Sequence, residues 1–279
     1  MNTLNQHVRN VLQSYYSPQE AAGLSRIICC EMFGQSAVDY YSGKDKALSP
    51  DEEKEMEHIL SRLCRYEPIQ YVQGVARFLG RNFYVAPGVL IPRPETEELV
   101  EEVLKNLTSP DSRILDTGTG SGCIAVSLSK ELPKAQVTAW DISGDALAIA
   151  RRNNELQQAS VRFVQCDVFT CRPAKDDCFD VIVSNPPYVT EAEKQDMERN
   201  VLDWEPPIAL FVPDADPLRF YRRIGELGRE MLATGGKLYV EINRAFGEAT
   251  AAMLRKQDYA NVRIRKDISG NDRYIIAEK

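Results

Sequence analysis

The sequence contains very little histidine. Only His7 and His58 occur among the 279 residues, and both lie outside the region where strand and helix patterns alternate. Histidine is the usual general base near neutral pH and a common metal ligand. We therefore expect no zinc or other metal site, and we expect any catalysis to proceed without an imidazole.

Paired cysteines and long apolar runs are also missing. The seven cysteines are an odd number and form no C-x-x-C pair, which argues against a disulfide framework. No apolar stretch approaches the roughly 20 residues that a membrane-spanning helix needs. The N-terminal residues lack the charged and apolar regions of a signal peptide. These absences predict a cytoplasmic protein with no membrane partner.

The chain has no tract rich in lysine and arginine, and its net charge is −7. Proteins that hold duplex nucleic acid usually present a dense basic surface. The clusters at Arg222-Arg223 and at residues 263–266 are small and are typical of solvated faces. We therefore expect no direct nucleic-acid partner.

Three regions follow one another along the chain. Residues 1–75 have helical periodicity, and the Ser-Pro pairs at 17–18 and 49–50 are typical helix starts. Residues 76–92 contain the turn sequence Gly80-Arg81-Asn82 between apolar residues, which predicts a β-hairpin linker. Residues 93–279 alternate strands and helices, which predicts a doubly wound, mostly parallel sheet.

A glycine-rich loop, Asp116 to Gly122, follows the first predicted strand of this sheet. Glycines at alternate positions permit close backbone approach to a ligand and a tight turn into a helix. Asp116 would repel a pyrophosphate but suits a positively charged ligand such as S-adenosylmethionine. The alternative is a strand-to-helix turn without a ligand.

Acidic residues follow the next two strands. Asp141 ends the second strand, where acidic side chains accept hydrogen bonds from ribose hydroxyls in Rossmann-type sites. Asp167 ends the third and is a candidate acceptor for the adenine amino group, with Val168 and Phe169 packed on the ring. The alternatives are a helix cap for Asp141 and a solvated loop position for Asp167.

The tetrapeptide Asn185-Pro186-Pro187-Tyr188 follows a buried strand at residues 180–184. Its prolines exclude a helix and predict an extended corner at the strand's carboxyl end. The side-chain carbonyl of Asn185 and the backbone carbonyl of Pro186 are two acceptors that suit a planar NH2 group. This pattern predicts an amide or an exocyclic base amine as ligand, whereas Pro-Pro after a strand can also be a simple chain reversal.

This order of motifs resembles the class I S-adenosylmethionine-dependent methyltransferases. The chain further resembles the HemK-type family of protein-glutamine N5-methyltransferases. The motifs that carry this second resemblance are Glu67 to Tyr71, Ile91 to Glu97, Asp116 to Gly122, Ser184 to Tyr188, Glu205-Pro206 with Ala209-Leu210, and Gly270 to Arg273. The resemblance implies a class I fold with an antiparallel C-terminal strand, and methylation of the glutamine in the Gly-Gly-Gln motif of peptide chain release factors. It also implies S-adenosylmethionine as cofactor, a release factor as partner, and a monomer.

The resemblance assigns roles to individual residues. Asn185 and the Pro186 carbonyl would hold the substrate amide, Tyr188 would pack on its plane, and Pro187 would fix the corner. The cofactor would be lined by Gly118, Thr119, Gly120, Ser121, Gly122, Asp141, Val168 and Asn185. Arg93 and Thr96 are candidates for the methionine carboxylate, or else linker and helix-start residues.

Some features leave alternatives open. Asn243 and Ala245 stand where the family usually has Gly and Gln, and Trp204 stands where Tyr is commoner. The helical domain is expected to dock the protein substrate, although a purely stabilising role is also open. Competing functions are glutamine methylation of a ribosomal protein, adenine-N6 methylation of a nucleic acid, which the acidic charge disfavours, and non-catalytic nucleotide binding.

Overall fold

The computed structural model describes residues 3–107, 109–173 and 177–279. The helices are α1 (Leu4–Leu12), α2 (Pro18–Arg26), α3 (Ala37–Ser42), α4 (Pro50–Leu63), α5 (Ile69–Gln73), α6 (Pro94–Asn106), α7 (Cys123–Glu131), α8 (Gly144–Leu156), α9 (Arg199–Leu202), α10 (Pro207–Leu210), α11 (Arg219–Met231) and α12 (Gly247–Lys256). The strands are β1 (Val75–Phe78), β2 (Arg81–Tyr84), β3 (Arg113–Thr117), β4 (Gln136–Asp141), β5 (Val161–Gln165), β6 (Phe179–Ser184), β7 (Val189–Thr190), β8 (Phe211–Val212), β9 (Leu232–Glu241), β10 (Ala260–Lys266) and β11 (Asp272–Glu278). No helix in these described ranges is long and apolar enough to cross a membrane.

The chain forms two compact units. The first contains the residues up to Gly74 and also Glu198–Trp204, and the second contains Val75–Met197 and Glu205–Lys279. The sequence-based boundaries had placed residues 198–204 with the sheet. They cluster instead with the helices, where the Trp204 indole N–H donates to the carbonyl of Arg65 at 3.0 Å.

The helical unit begins its helices where the Ser-Pro pairs predict. Ser17 caps α2 and Ser49 caps α4. Each serine hydroxyl accepts from the backbone N–H three residues on, and the backbone N–H of each serine donates to the glutamate side chain at that position. Such reciprocal caps satisfy N–H groups that have no partner within the helix. The apolar faces of the helices then enclose one core, which includes Leu12, Ile28, Met56 and Leu63.

A short β-hairpin opens the second unit, and its turn differs from the predicted one. Leu79 and Gly80 form the turn, with φ of 46° and 71°, while Arg81 and Asn82 already belong to β2. Positive φ at both central residues gives the twist that joins antiparallel strands through two residues. Phe78 and Phe83 are buried in the core beneath α6 and α7.

The central sheet has the strand order β10-β11-β9-β6-β3-β4-β5. All of its strands run parallel except β11, which is antiparallel to both β9 and β10. Apolar residues of α6 and α7 pack on one face, and those of α11 and α12 pack in a second cluster. The predicted mostly parallel sheet with an antiparallel C-terminal strand is confirmed.

The register of the sheet positions the candidate site. Thr117 at the end of β3 pairs with Trp140 on β4 and with Ser184 at the end of β6. The Ser184 hydroxyl also donates to the carbonyl of Thr117 at 2.7 Å. Because the three strands are parallel and end together, the segments that follow them emerge side by side at one edge.

Candidate active site

A cavity of about 360 Å³ lies at the carboxyl end of the sheet. Nine of the residues predicted for the site line it: Gly118, Gly120, Asp141, Asp167, Val168, Phe169, Asn185, Pro186 and Pro187. Four others, Thr119, Ser121, Gly122 and Tyr188, are not part of its lining. The cavity therefore brings together the loops after β3, β4, β5 and β6, as the order of motifs predicted.

Asp141, at the end of β4, is hydrogen-bonded to the glycine-rich loop. Its Oδ2 accepts from the backbone N–H of Gly120 at 2.8 Å, and its Oδ1 accepts from the N–H of Ser143 at 2.9 Å. Burial raises the pKa of Asp141 above its ordinary value, against these hydrogen bonds, which lower it. Each carboxylate oxygen keeps a lone pair for a ligand hydroxyl. Ser143 itself caps α8, so the capping role that competed for Asp141 is taken by its neighbour.

Asp116 lies beneath the loop and not on the cavity wall. It is fully buried, and its Oδ2 accepts from the Thr119 hydroxyl at 2.6 Å. Desolvation raises its pKa to about 7, and the nearby Asp141 adds to that rise. A direct contact between this carboxylate and a positively charged ligand, which the sequence suggested, has no support in this geometry.

An apolar wall faces the loop across the cavity. Val168 and Phe169 contribute to it, as does Phe220 from the first turn of α11. The ring centroids of Phe169 and Phe220 are 4.9 Å apart, and the guanidinium carbon of Arg219 lies 4.5 Å from the ring centroid of Phe169. Asp167, the predicted adenine partner, lines the cavity and accepts from the Phe169 N–H at 2.9 Å.

The Asn-Pro-Pro-Tyr corner is held by a chain of three hydrogen bonds. Asn185 Nδ2 donates to Thr96 Oγ1 at 3.1 Å, and Thr96 Oγ1 donates to Glu241 Oε2 at 2.7 Å. The Tyr188 hydroxyl donates to the other oxygen, Glu241 Oε1, at 3.0 Å. Burial raises the pKa of both Glu241 and Tyr188. The Tyr188 hydroxyl is thus turned toward Glu241, away from the cavity.

Arg93 and Thr96 are both engaged elsewhere than in the cavity. Arg93 Nη2 bonds to Glu205 Oε1 at 2.6 Å, and Glu205 Oε2 accepts from the N–H of Ile91 at 3.1 Å. Thr96 is fully engaged with Asn185 and Glu241. Neither lines the cavity, so the geometry supports the alternative in which they are structural residues of the linker and the helix start.

Sequence reasoning missed several residues of the site. The cavity is also lined by Val89, Leu90, Ile142, Pro206, Ile208, Ala209, Arg219 and Phe220. Glu241 is a further residue beside the site to which the sequence analysis assigns no role. An available signal was its place at the end of a parallel strand, where ligand sites form in open sheets. In the described parts of the chain, no group of three or more His, Cys, Asp or Glu is arranged to hold a metal ion.

The strand order, the glycine loop after β3 and the Asn-Pro-Pro-Tyr corner after β6 define a class I methyltransferase. Family models agree, because a methyltransferase small domain matches residues 95–205 and a PrmC N-terminal domain matches residues 3–74. The chain is 57% identical to a release factor glutamine methyltransferase of Bacteroides thetaiotaomicron, over 100% of both proteins. It is 42% identical to one of Flavobacterium psychrophilum, over 95% of this chain and 94% of that protein. The chain belongs to the release factor glutamine methyltransferase family, which confirms the resemblance found in its motifs.

Solved structures support the same fold. A methyltransferase from Pyrococcus furiosus superimposes with a TM-score of 0.53 at 20% identity, over 83% of this chain and 99% of that one. A T. thermophilus 16S rRNA N2 G1207 methyltransferase, in complex with AdoMet and guanosine, gives a TM-score of 0.53 at 18% identity. That match covers 74% of this chain and 49% of the other. At these identities the likeness concerns the fold alone.

Proposed function

We propose that this chain transfers a methyl group from S-adenosylmethionine to the side-chain amide nitrogen of the glutamine in the Gly-Gly-Gln motif of a release factor. The observation that carries the proposal is that Asn185 and Pro186 line the same cavity as Gly118, Gly120 and Asp141. One cavity therefore holds acceptors for an NH2 group and a loop suited to a nucleotide-like cofactor. The full-length likeness to a release factor glutamine methyltransferase supports the choice of substrate.

The residues of the cavity fit S-adenosylmethionine. Gly118 and Gly120 present backbone without side chains, and Asp141 offers two carboxylate oxygens to ribose hydroxyls. Val168 and Phe169 provide an apolar surface for a purine ring. When bound, the cofactor supplies an electrophilic methyl group on a sulfonium centre. Here the role of this chain is to hold it beside the acceptors of the corner.

The corner would activate the amide by orienting it. An amide nitrogen is a poor nucleophile because its lone pair is delocalised into the carbonyl. The side-chain carbonyl of Asn185 and the backbone carbonyl of Pro186 would accept its two hydrogens and so raise the electron density on nitrogen. Orientation of this kind is worth up to about 7–11 kcal/mol, and fixed dipoles in a water-poor site add to it.

Mass spectrometry of a recombinant release factor, after incubation with this protein and S-adenosylmethionine, tests the proposal. We expect the Gly-Gly-Gln peptide to gain the mass of one CH2 group. A release factor with Gly-Gly-Glu in place of that motif is the matched control and should gain nothing. An unmodified Gly-Gly-Gln peptide would refute the proposal, and a gain on ribosomal proteins alone would favour the ribosomal alternative.

We also propose that the helical unit, residues 3–74 with 198–204, contacts the release factor and that the enzyme acts as a cytoplasmic monomer. The acidic net charge of −7 favours a protein partner with a basic surface over a nucleic acid. Surface substitutions in this unit should raise the KM for the intact release factor without changing the KM for a short Gly-Gly-Gln peptide. Equal effects on both substrates would contradict the docking role.

A further inference from the structure

One buried carboxylate controls two residues of the catalytic corner. Glu241 is only 1% exposed and ends β9. It accepts from Thr96 at the start of α6 and from Tyr188 at the corner, over 2.7 and 3.0 Å. The three residues come from segments that are far apart in the chain, so this contact exists only in the folded sheet.

The direction of each hydrogen bond follows from the number of protons available. A carboxylate accepts and cannot donate, and a hydroxyl has a single hydrogen. The Thr96 hydrogen is therefore committed to Glu241, and the Thr96 oxygen is free only to accept. Asn185 must then turn its NH2 group toward Thr96, as its 3.1 Å bond shows. Its carbonyl oxygen is left to face the cavity.

The opposite orientation of the Asn185 amide is unfavourable both toward Thr96 and toward the substrate. A rotation by 180° would place its carbonyl oxygen against the lone pairs of Thr96, with no hydrogen between them. It would also present an NH2 group to the NH2 group of a substrate glutamine, donor against donor. Unpaired buried polar groups are costly, so an ionised Glu241 carboxylate selects one orientation of the Asn185 amide.

We propose that Glu241 is a positioning residue that, through the Thr96 hydroxyl, holds the Asn185 amide with its carbonyl oxygen toward the substrate. This inference rests on the proposed function and adds to it the residue that sets the polarity of the acceptor site. Tyr188 is held by the same carboxylate, so one group orients both ends of the corner.

The protonation state of Glu241 makes the orientation dependent on pH. A protonated Glu241 can donate to Thr96, which releases the Thr96 hydrogen to bond the Asn185 carbonyl in the wrong orientation. The titratable groups that interact electrostatically with Glu241 are Tyr188, Arg273, Glu95, Tyr221 and Cys123. Burial raises the pKa of Glu241 most, the hydrogen bonds from Thr96 and Tyr188 and the charge of Arg273 lower it, and Glu95 raises it. Activity should therefore fall as the pH falls through the raised pKa of Glu241.

Two substitutions break the chain of hydrogen bonds at different points. E241Q replaces the acceptor-only carboxylate with an amide whose NH2 can donate to Thr96. T96V removes the hydroxyl and keeps the shape of the side chain. We expect each to lower kcat about 100-fold, as loss of substrate orientation does, with the cofactor Kd from calorimetry unchanged. T96S keeps the hydroxyl and should recover most of the kcat that T96V loses.

The controls separate positioning from simple stability. Thr250 is a fully buried threonine of α12 whose hydroxyl has no hydrogen-bond partner in the described structure, so T250V is the matched control and should keep its kcat. The acid limb of the kcat–pH profile should be present in the wild type and absent in T96V. If Thr96 served only to stabilise the fold, T96V would keep the acid limb of the kcat–pH profile.

The possible results are distinguishable. Equal kcat in the wild type and T96V, or an unchanged acid limb in T96V, would overturn the positioning role while leaving the proposed function intact. Failure of the wild type to methylate any release factor would overturn both. Thermal unfolding checks each variant, and if E241Q does not fold, the T96V and T96S pair decides the question.

Discussion

Asn243 holds the backbone of Tyr188: its Nδ2 donates to the Tyr188 carbonyl at 3.2 Å. The same NH2 group lies 3.1 and 3.0 Å from the two carboxylate oxygens of Glu193, and the Asn243 side-chain oxygen accepts from the N–H of Ala245 at 2.9 Å. The position where this chain departs from the family pattern thus ties the loop after β9 to the Asn-Pro-Pro-Tyr corner.

Replacement of Asn243 by alanine should loosen that corner. N243A removes the bond to Tyr188 and leaves its carbonyl and part of Glu193 unpaired, which should cost about 1–3 kcal/mol of unfolding free energy. We expect a lower kcat with an unchanged cofactor Kd, measured by peptide methylation and calorimetry. N243G, which restores the usual family residue, should behave like N243A. Wild-type stability and kcat in both variants would contradict this role.

Removal of the Asn185 side chain should separate binding from transfer. N185A deletes the proposed acceptor for the substrate amide and leaves Gly118, Gly120 and Asp141 in place. We therefore expect nearly unchanged affinity for S-adenosylmethionine by calorimetry and almost complete loss of methyl transfer by mass spectrometry. A parallel loss of both would instead identify Asn185 as a cofactor or folding residue.

Gly122 and Gly270 allow a matched test of close packing. Their φ angles are 82° and 83°, a region that costs an alanine about 1–2 kcal/mol. A Cβ on Gly122 would lie 3.0 Å from the Cβ of Ala150, whereas nothing lies within 4 Å of one on Gly270. G122A should therefore lose more unfolding free energy than G270A, measured by denaturant titration. Equal losses would show that α8 moves aside without cost.

The raised pKa of Asp116 predicts that the stability of the protein depends on pH. Its pKa is near 3.8 when unfolded and is raised by burial to about 7 when folded, so the folded state binds more protons between these values. The free energy of unfolding from this group must then fall as pH rises from about 4 to about 7.

The D116N variant isolates that effect. Its amide oxygen can still accept from Thr119, and its other titrating groups match those of the wild type. The stability of D116N relative to the wild type should increase between pH 4 and pH 7, measured by denaturant titration at each pH. A difference that stays constant with pH would show that Asp116 is not protonated in the folded state.

The elements with strong periodicity could be predicted from the sequence. The helix at 144–156 and the strand at 136–141 belong to the alternation predicted for residues 93–279, because their caps and apolar spacing are local. The stretch from 189 to 212 has no such local signal. Its two-residue strands β7 and β8 form only by pairing with each other, and α9 with its neighbours belongs to the helical unit.

The sequence alone determined the alternation of strands and helices, the capped starts of α2 and α4, and the motifs placed at the carboxyl ends of the strands. These features depend on neighbours within a few residues, or on the rule that parallel strands end at one edge. Only the tertiary structure decided that Asp116 lies beneath its loop, that Tyr188 turns toward Glu241, and that Thr96 bonds Asn185. Thr96 and Glu241 are 145 residues apart. Their hydrogen bond exists only because the fold brings them together, and no local pattern encodes that contact.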